Sequence, residues 1–156
     1  MTIADLERRL LAEGCNPANY ALNTPSYDGY CLMRQGQQWN VFYSERGADQ
    51  APIFCSVDED AACRFFFDFV MKMEHRHLVA CLRSEPAAQA LRARLEAQGI
   101  ATEGYRLHYA QNDYRQVISV VGKDLFRVRA VLGQVPVEDA DEARPGFWER
   151  LRRSLS

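Results

Sequence analysis

The sequence predicts an α+β protein in which antiparallel sheets pack against helices. Three observations support this class. Amphipathic helical patterns bracket groups of consecutive strands, and short turn sequences join the strands within each group. In addition, residues 6–22 and 91–107 echo each other, each reading as a helix, a glycine, a short loop and a strand that begins Tyr-x-Leu. The echo suggests two tandem copies of a helix–β-meander–helix unit; convergence among helix-favouring residues is the alternative.

The first half begins with a helix and a hairpin. Thr2 and Asp5 have the spacing of a helix cap, and Gly14 ends the apolar helical pattern. Extended structure starts at residue 20. Two apolar stretches, 30–33 and 39–43, then flank a polar turn, which is typical of a β-hairpin.

A second helix follows, and its start resembles a capping box at residues 56–59. One broad apolar stripe is predicted to face the core, made of Ala62, Phe65, Phe66, Phe69, Val70 and Met73. Phe67 and Met71 lie at the flank of this stripe and beyond it. We therefore expect these two side chains to meet either the second half of the chain or a partner.

The second half repeats the alternation. Ser84 followed by Pro86 begins a helix that ends at Gly99. Strands are predicted at residues 103–109, 114–121 and 125–132, the last from its alternation of apolar residues with arginine. A polar link at 136–142 leads to a last helix on which Phe147, Trp148, Leu151 and Leu155 share a face.

Length and charge limit the classes of function. With 156 residues, we expect one compact domain over 1–156, which the echo would divide into sub-units 1–78 and 84–156. The formal net charge is −2 and no basic stripe occurs, so we do not expect nucleic acid as a partner. No apolar run approaches the ~20 residues that span a bilayer, so no membrane partner is expected. Five cysteines without a C-x-x-C pair indicate free thiols and a cytoplasmic protein.

No catalytic pattern emerges from the residues. Cys63 lies within the apolar stripe of its helix, where a thiol is inert rather than activated. His75 and His77, with Cys81 nearby, form the one cluster that resembles a metal site, but the spacing does not suit a helix end. We therefore expect no enzyme, no cofactor and no metal. The alternatives are a small enzyme using Cys63 or the His75/His77 cluster, and a regulatory protein-binding module.

The sequence WNVFYSERG at 39–47, then Phe54, then DEDAACRFFF at 58–67, resembles a pattern in small bacterial immunity proteins encoded beside polymorphic toxins of the contact-dependent or rearrangement-hotspot type. The resemblance covers about residues 20–75. It implies a protein that binds and neutralises a cognate toxin domain by blocking the active site or substrate access. It carries over no catalytic residue.

An acidic rim would match a toxin that binds phosphate-rich substrates or an anionic cofactor, such as a nuclease or an NAD-using transferase. Acids would steer association, and a few aromatic or apolar side chains would act as anchors. The expected partner-binding residues are Glu45, Arg46, Asp49, Asp58, Asp60, Phe67 and Met71.

Overall fold

A computed structural model describes residues 1–139 and confirms the α+β class. The helix predicted on Phe147, Trp148, Leu151 and Leu155 lies outside the described residues. Among the described helices, none is both long enough and apolar enough to cross a membrane.

The described chain forms four α-helices, one 3-10 helix and nine strands. The helices are α1 (Ile3–Ala12), α2 (Glu59–Val70), α3 (Glu85–Glu96) and α4 (Asp124–Leu132), with the 3-10 turn at Pro17–Asn19. The strands are β1 (Tyr20–Leu22), β2 (Asp28–Gln35), β3 (Gln38–Glu45), β4 (Ala48–Asp49), β5 (Phe54–Ser56), β6 (Arg76–Leu82), β7 (Glu103–Ala110), β8 (Asp113–Val121) and β9 (Val137–Glu138).

Two compact units make up the chain. Unit 1 consists of residues 1–76 together with the short segment 121–123. Unit 2 consists of residues 77–120 together with the described residues from 124 to 139. Each unit has its own hydrophobic core.

Unit 1 packs α1 and α2 on one five-stranded sheet. The sheet order is β1-β2-β3-β4, and β5 also pairs with β3. The predicted hairpin is confirmed as β2 and β3, in which Leu32 lies directly opposite Val41. Both side chains are fully buried and share a core with Leu10 of α1 and Phe66 of α2.

The two helix starts of unit 1 differ. The cap predicted for α1 is confirmed, because Thr2 and Asp5 each accept the backbone N–H of the other. The capping box predicted at residues 56–59 is wrong, since α2 begins two residues later with Asp58 as its N-cap. The Ser56 hydroxyl instead accepts the N–H of Asp58 and shapes the turn before the helix.

Unit 2 packs α3 and α4 on a four-stranded sheet with the order β7-β8-β6-β9. Its core combines Val79 and Ile118 from the sheet with Leu95 and Val128 from the helices. Strands β7 and β8 form an antiparallel hairpin, and the short β9 runs parallel to β6.

One prediction for unit 2 is wrong, and one strand is missing from the sequence prediction. Strand β6 was not predicted, and residues 125–132 form helix α4 rather than a strand. In α4 the buried positions are Leu125 and Val128, three apart, while Phe126 is exposed. Helical spacing therefore decides which side chains are buried, and the alternation with arginine along this segment is incidental.

The internal echo does not extend to the sheets. Gly14 and Gly99 each come after a helix, and both glycines have positive φ values, so the two helix ends are alike. However, β1 runs parallel to β2, whereas β7 runs antiparallel to β8. Tyr20 packs edge-on against Phe66, while Tyr105 is 46% exposed. These differences in strand direction and environment contradict the expected superposition of the two segments.

Candidate protein-binding surface

A row of five aromatic rings crosses unit 1 along one flank of α2. Each ring centroid lies within 6.3 Å of the next, and the closest pair, Phe54 and Phe65, stacks at 4.2 Å. We call this set the aromatic row; in order, it is Tyr43, Tyr30, Phe69, Phe65 and Phe54. All five side chains are half-buried, and all except Tyr43 pack against the core of unit 1.

Four elements, one helix and three strands, position the aromatic row. Phe65 and Phe69 are four residues apart on α2 and therefore share one side of the helix. Tyr30 of β2 lies directly opposite Tyr43 of β3, so both point to the same face of the sheet. Phe54 of β5 completes the row at the other end of the helix. The predicted stripe contained Phe65 and Phe69, but no sequence pattern linked them to the tyrosines.

The structure separates the four predicted acids into two groups. Glu45 and Asp49 flank the β3–β4 turn. Asp58 and Asp60 lie at the start of α2, shortly after Ser56, which pairs with Trp39 of β3. Six residues of strand separate Trp39 from Glu45, which corresponds to about 20 Å. The four acids therefore do not form a single rim.

The turn group is built on a tight hairpin. Arg46 and Gly47 form its two-residue loop, and both have positive φ values, +52° and +80°, as in a type I′ turn. The N–H of Arg46 donates to Oδ1 of Asp28 at 2.9 Å. The Arg46 side chain is exposed and makes no hydrogen bond or ion pair with any described residue. Its cation therefore faces solvent beside the acids.

The helix-start group has structural roles of its own. Asp58 accepts the N–H of Asp60 at 3.0 Å and so caps α2. Asp60 accepts a hydrogen bond from Nε of Arg64 at 2.8 Å and pairs with the amino group of Met1. These bonds lower the pKa of Asp60 from 3.8 to about 2. Both acids are already engaged within unit 1.

Phe67 and Met71 lie on the other flank of α2, which faces α1. The guanidinium of Arg9 sits over the Phe67 ring at 4.5 Å. Met71 is 40% exposed, and its sulfur lies 3.6 Å from that of Cys15. Phe67 thus packs against a helix of its own unit, an outcome not anticipated from the sequence.

Cys63 and His75, which the sequence offered as a nucleophile and a metal ligand, both have structural roles in unit 1. Burial raises the pKa of the Cys63 thiol to about 11, so the thiol is protonated at neutral pH. Nδ1 of His75 accepts the N–H of Asn16 at 3.1 Å, and its Nε2 lies 2.9 Å from the carbonyl oxygen of Val70. Both ring nitrogens are therefore engaged within unit 1. No group of three or more potential metal ligands comes together within residues 1–139.

Comparisons with protein families, with curated proteins and with solved structures found no match for this chain.

Proposed function

We propose that this chain is an immunity protein that binds a cognate toxin domain and blocks its active site or its access to substrate. The observation that carries the proposal is the aromatic row, a set of partly exposed rings on the surface of unit 1. Aromatic side chains supply large contact area at little conformational cost and are enriched among the anchors of protein interfaces. The resemblance of residues 39–47 and 58–67 to immunity proteins supports the same function.

Acidic side chains follow both ends of the aromatic row along the chain. Beyond Tyr43 the strand ends at Glu45, and beyond Phe54 the chain reaches Asp58. Asp68 is exposed on α2 next to Phe69 in sequence. A toxin active site that holds phosphate-rich substrates or an anionic cofactor is positively charged, and acids around the aromatic row would steer it toward this surface.

The first experiment measures binding of the purified chain to the toxin domain encoded beside it. We expect Tyr43→Ala to weaken affinity by about 30-fold, corresponding to ~2 kcal/mol for a lost anchor, mainly through faster dissociation. The far-ultraviolet circular dichroism spectrum should be unchanged. Phe67→Ala, on the opposite flank of α2, is the matched aromatic control and should leave affinity within about twofold.

Charge variants test the two acidic groups separately. Glu45→Lys with Asp49→Lys should slow association, because rim charges act mainly on the association rate. Asp58→Asn keeps the N-cap and removes only the charge. Glu7→Lys reverses an exposed acid of α1 and serves as the control.

Arg46→Asn tests the contribution of the Arg46 cation without changing the conformation of the turn. Asparagine tolerates the positive φ of this position, so the hairpin is kept while the cation is removed.

If toxin affinity and both rate constants were the same in the Tyr43, Glu45/Asp49, Asp58 and Arg46 variants as in the wild type, this surface would not be the inhibitory one. Absence of any toxin binding would overturn the proposed function itself.

A further inference from the structure

A groove of about 270 Å³ runs along unit 2 between α3 and the β7–β8 hairpin. On the helix side it is lined by Glu85, Ala88, Gln89 and Arg92, which share one face of α3 because they are spaced by three or four residues. The hairpin side contributes Gly104, Arg106, Gln116 and Ile118. Arg92 and Arg106 thus line the groove from its two sides.

Arg106 has no anionic partner among residues 1–139. Its guanidinium lies 4.0 Å from the centre of the Tyr114 ring and makes no hydrogen bond or ion pair with any residue in 1–139. The His108 ring stacks on the same tyrosine at 4.8 Å, which restricts the ring. Arg106 is therefore held in place while its hydrogen-bond donors stay available.

Arg92 is oriented by two polar neighbours. Its Nε donates to the Thr102 hydroxyl at 3.1 Å, and its Nη2 lies 3.5 Å from Oε1 of Glu96. The remaining nitrogen, Nη1, has no hydrogen-bond partner in the described chain. A Cβ atom added to Gly104 would lie 3.3 Å from this Nη1. The missing side chain of Gly104 therefore keeps the space beside Nη1 open.

The rest of the groove favours a small ligand of limited charge. Ala88 and Ile118 are buried and give it an apolar floor. The Gln116 amide makes no hydrogen bond within the described chain. At the end of the groove nearer the start of α3, Glu85 accepts a hydrogen bond from Gln89 at 3.2 Å and contributes one negative charge. Glu85 lowers the net positive charge of the groove, and the apolar floor suits a ligand with an aliphatic part, which inorganic phosphate lacks.

We propose that this groove binds a small carboxylate ligand whose carboxylate group lies between Arg92 and Arg106. Arginine forks match the two oxygens of a carboxylate, and Gln116 supplies a further donor. The apolar floor would receive a short aliphatic part of the ligand. This site belongs to unit 2 and does not depend on the toxin-binding function proposed for unit 1.

The test is a titration of the full chain, labelled with ¹⁵N, with propionate, with inorganic phosphate and with sodium chloride at matched ionic strength. We expect propionate to cause saturable shifts of the Gly104 amide and the Arg106 Nε–H, with a Kd on the order of millimolar. Phosphate should bind more weakly, and chloride should produce no saturable shift.

Matched variants distinguish the site from general charge attraction. Arg106→Gln should weaken propionate binding at least tenfold, because it removes a charge-assisted hydrogen bond. Gly104→Ala should also weaken binding, since its methyl group occupies the space beside Arg92. Arg129→Gln removes an exposed cation of α4 that makes no ion pair in the described chain, and should leave binding unchanged.

Three results would overturn the proposal. They are the absence of saturable shifts with propionate, tighter binding of phosphate than of propionate, and equal losses of affinity in the Arg106→Gln and Arg129→Gln variants. Unchanged dispersion of the amide spectrum in each variant excludes unfolding as the cause of a loss.

Discussion

At the scale of single residues, burial sets the chemistry of the cysteines. Cys63 is fully buried in the core of unit 1, whereas Cys55 is exposed on β5. Desolvation disfavours the thiolate, and the acids Glu59 and Asp60 near Cys63 act in the same direction. Cys63 is therefore a core side chain whose sulfur fills space between α2 and the sheet.

This contrast gives a stability prediction. Cys63→Ala should lower the free energy of unfolding by about 1 kcal/mol, because it removes a buried sulfur. Cys55→Ala should change it by less than about 0.5 kcal/mol. Urea denaturation followed by circular dichroism measures both values. Faster reaction of Cys63 than of Cys55 with a thiol reagent in the native protein would contradict this account.

His75 shows why a site can be misjudged from residue type. Its proximity to His77 and Cys81 in sequence resembles a ligand set. In the fold its ring connects Asn16, which precedes the 3-10 turn, to the carbonyl group of Val70 at the end of α2. Sequence spacing does not reveal such a connection, because the partners lie five and fifty-nine positions away.

At the scale of elements, the first turn of α2 depends on ionised acids. Hydrogen bonds from Arg64 and from the amino group of Met1 lower the pKa of Asp60 to about 2. A carboxyl whose pKa is lower in the folded state contributes stability above its unfolded pKa of 3.8, and this contribution is lost as the pH falls toward 2. The effect is modest because the Asp60 side chain is 43% exposed.

We therefore expect Asp60→Asn to be less stable than the wild type at pH 6 and to approach it as the pH falls from 4 to 2. Thermal unfolding at several pH values measures the difference. Asp68→Asn, on the exposed side of the same helix, has no ion pair in the described chain and is the control. A stability difference for Asp60→Asn that stays constant across this range would show that the charge of Asp60 is not the cause.

Elements flanked by clear turn or cap signals could be predicted from the sequence, whereas β6 and α4 could not. The β2–β3 hairpin and α3 have clear turn or cap signals, and both were found. Strand β6 is buried over most of its length, so it reads as an apolar run without alternation. Helix α4 has only nine residues, and a chance alternation concealed its helical spacing.

The aromatic row was not predictable from the sequence. Phe67 is the one aromatic residue among the expected partner-binding residues, and it lies on the other flank of α2, whereas Phe65 and Phe69 were expected in the core. Tyr30 joins the aromatic row only because β2 and β3 pair in the register that places it opposite Tyr43. A pairing register is fixed by long-range contacts, which local patterns do not specify.

At the scale of the whole molecule, unit 1 is not continuous in sequence. The segment 121–123 completes it, because the N–H of Gly122 donates to the His75 carbonyl at 2.8 Å and Lys123 pairs with Glu13 at 2.6 Å. Gly14 lies so close to this segment that a Cβ atom would be 2.6 Å from the carbonyl carbon of Gly122. Its φ of +74° adds a second reason for glycine.

Gly14→Ala should therefore destabilise the protein by more than backbone strain alone. A left-handed conformation costs a non-glycine residue about 1–2 kcal/mol. Gly36 has a similar φ of +63° with no atom within 4 Å of an added Cβ, so Gly36→Ala measures that strain without the clash. Urea denaturation should show a clearly larger loss for Gly14→Ala. Equal losses would mean that segment 121–123 does not pack on Gly14 as described.

The discontinuity of unit 1 has a consequence for protein synthesis. The buried residues of its core all lie between Leu6 and Val70, so they leave the ribosome early. Gly14 and Glu13 meet their partners only after Lys123 has emerged, when most of the described part of unit 2 has also been made. We expect the nascent first unit to remain incompletely closed during this interval, and its last contacts to form late in translation.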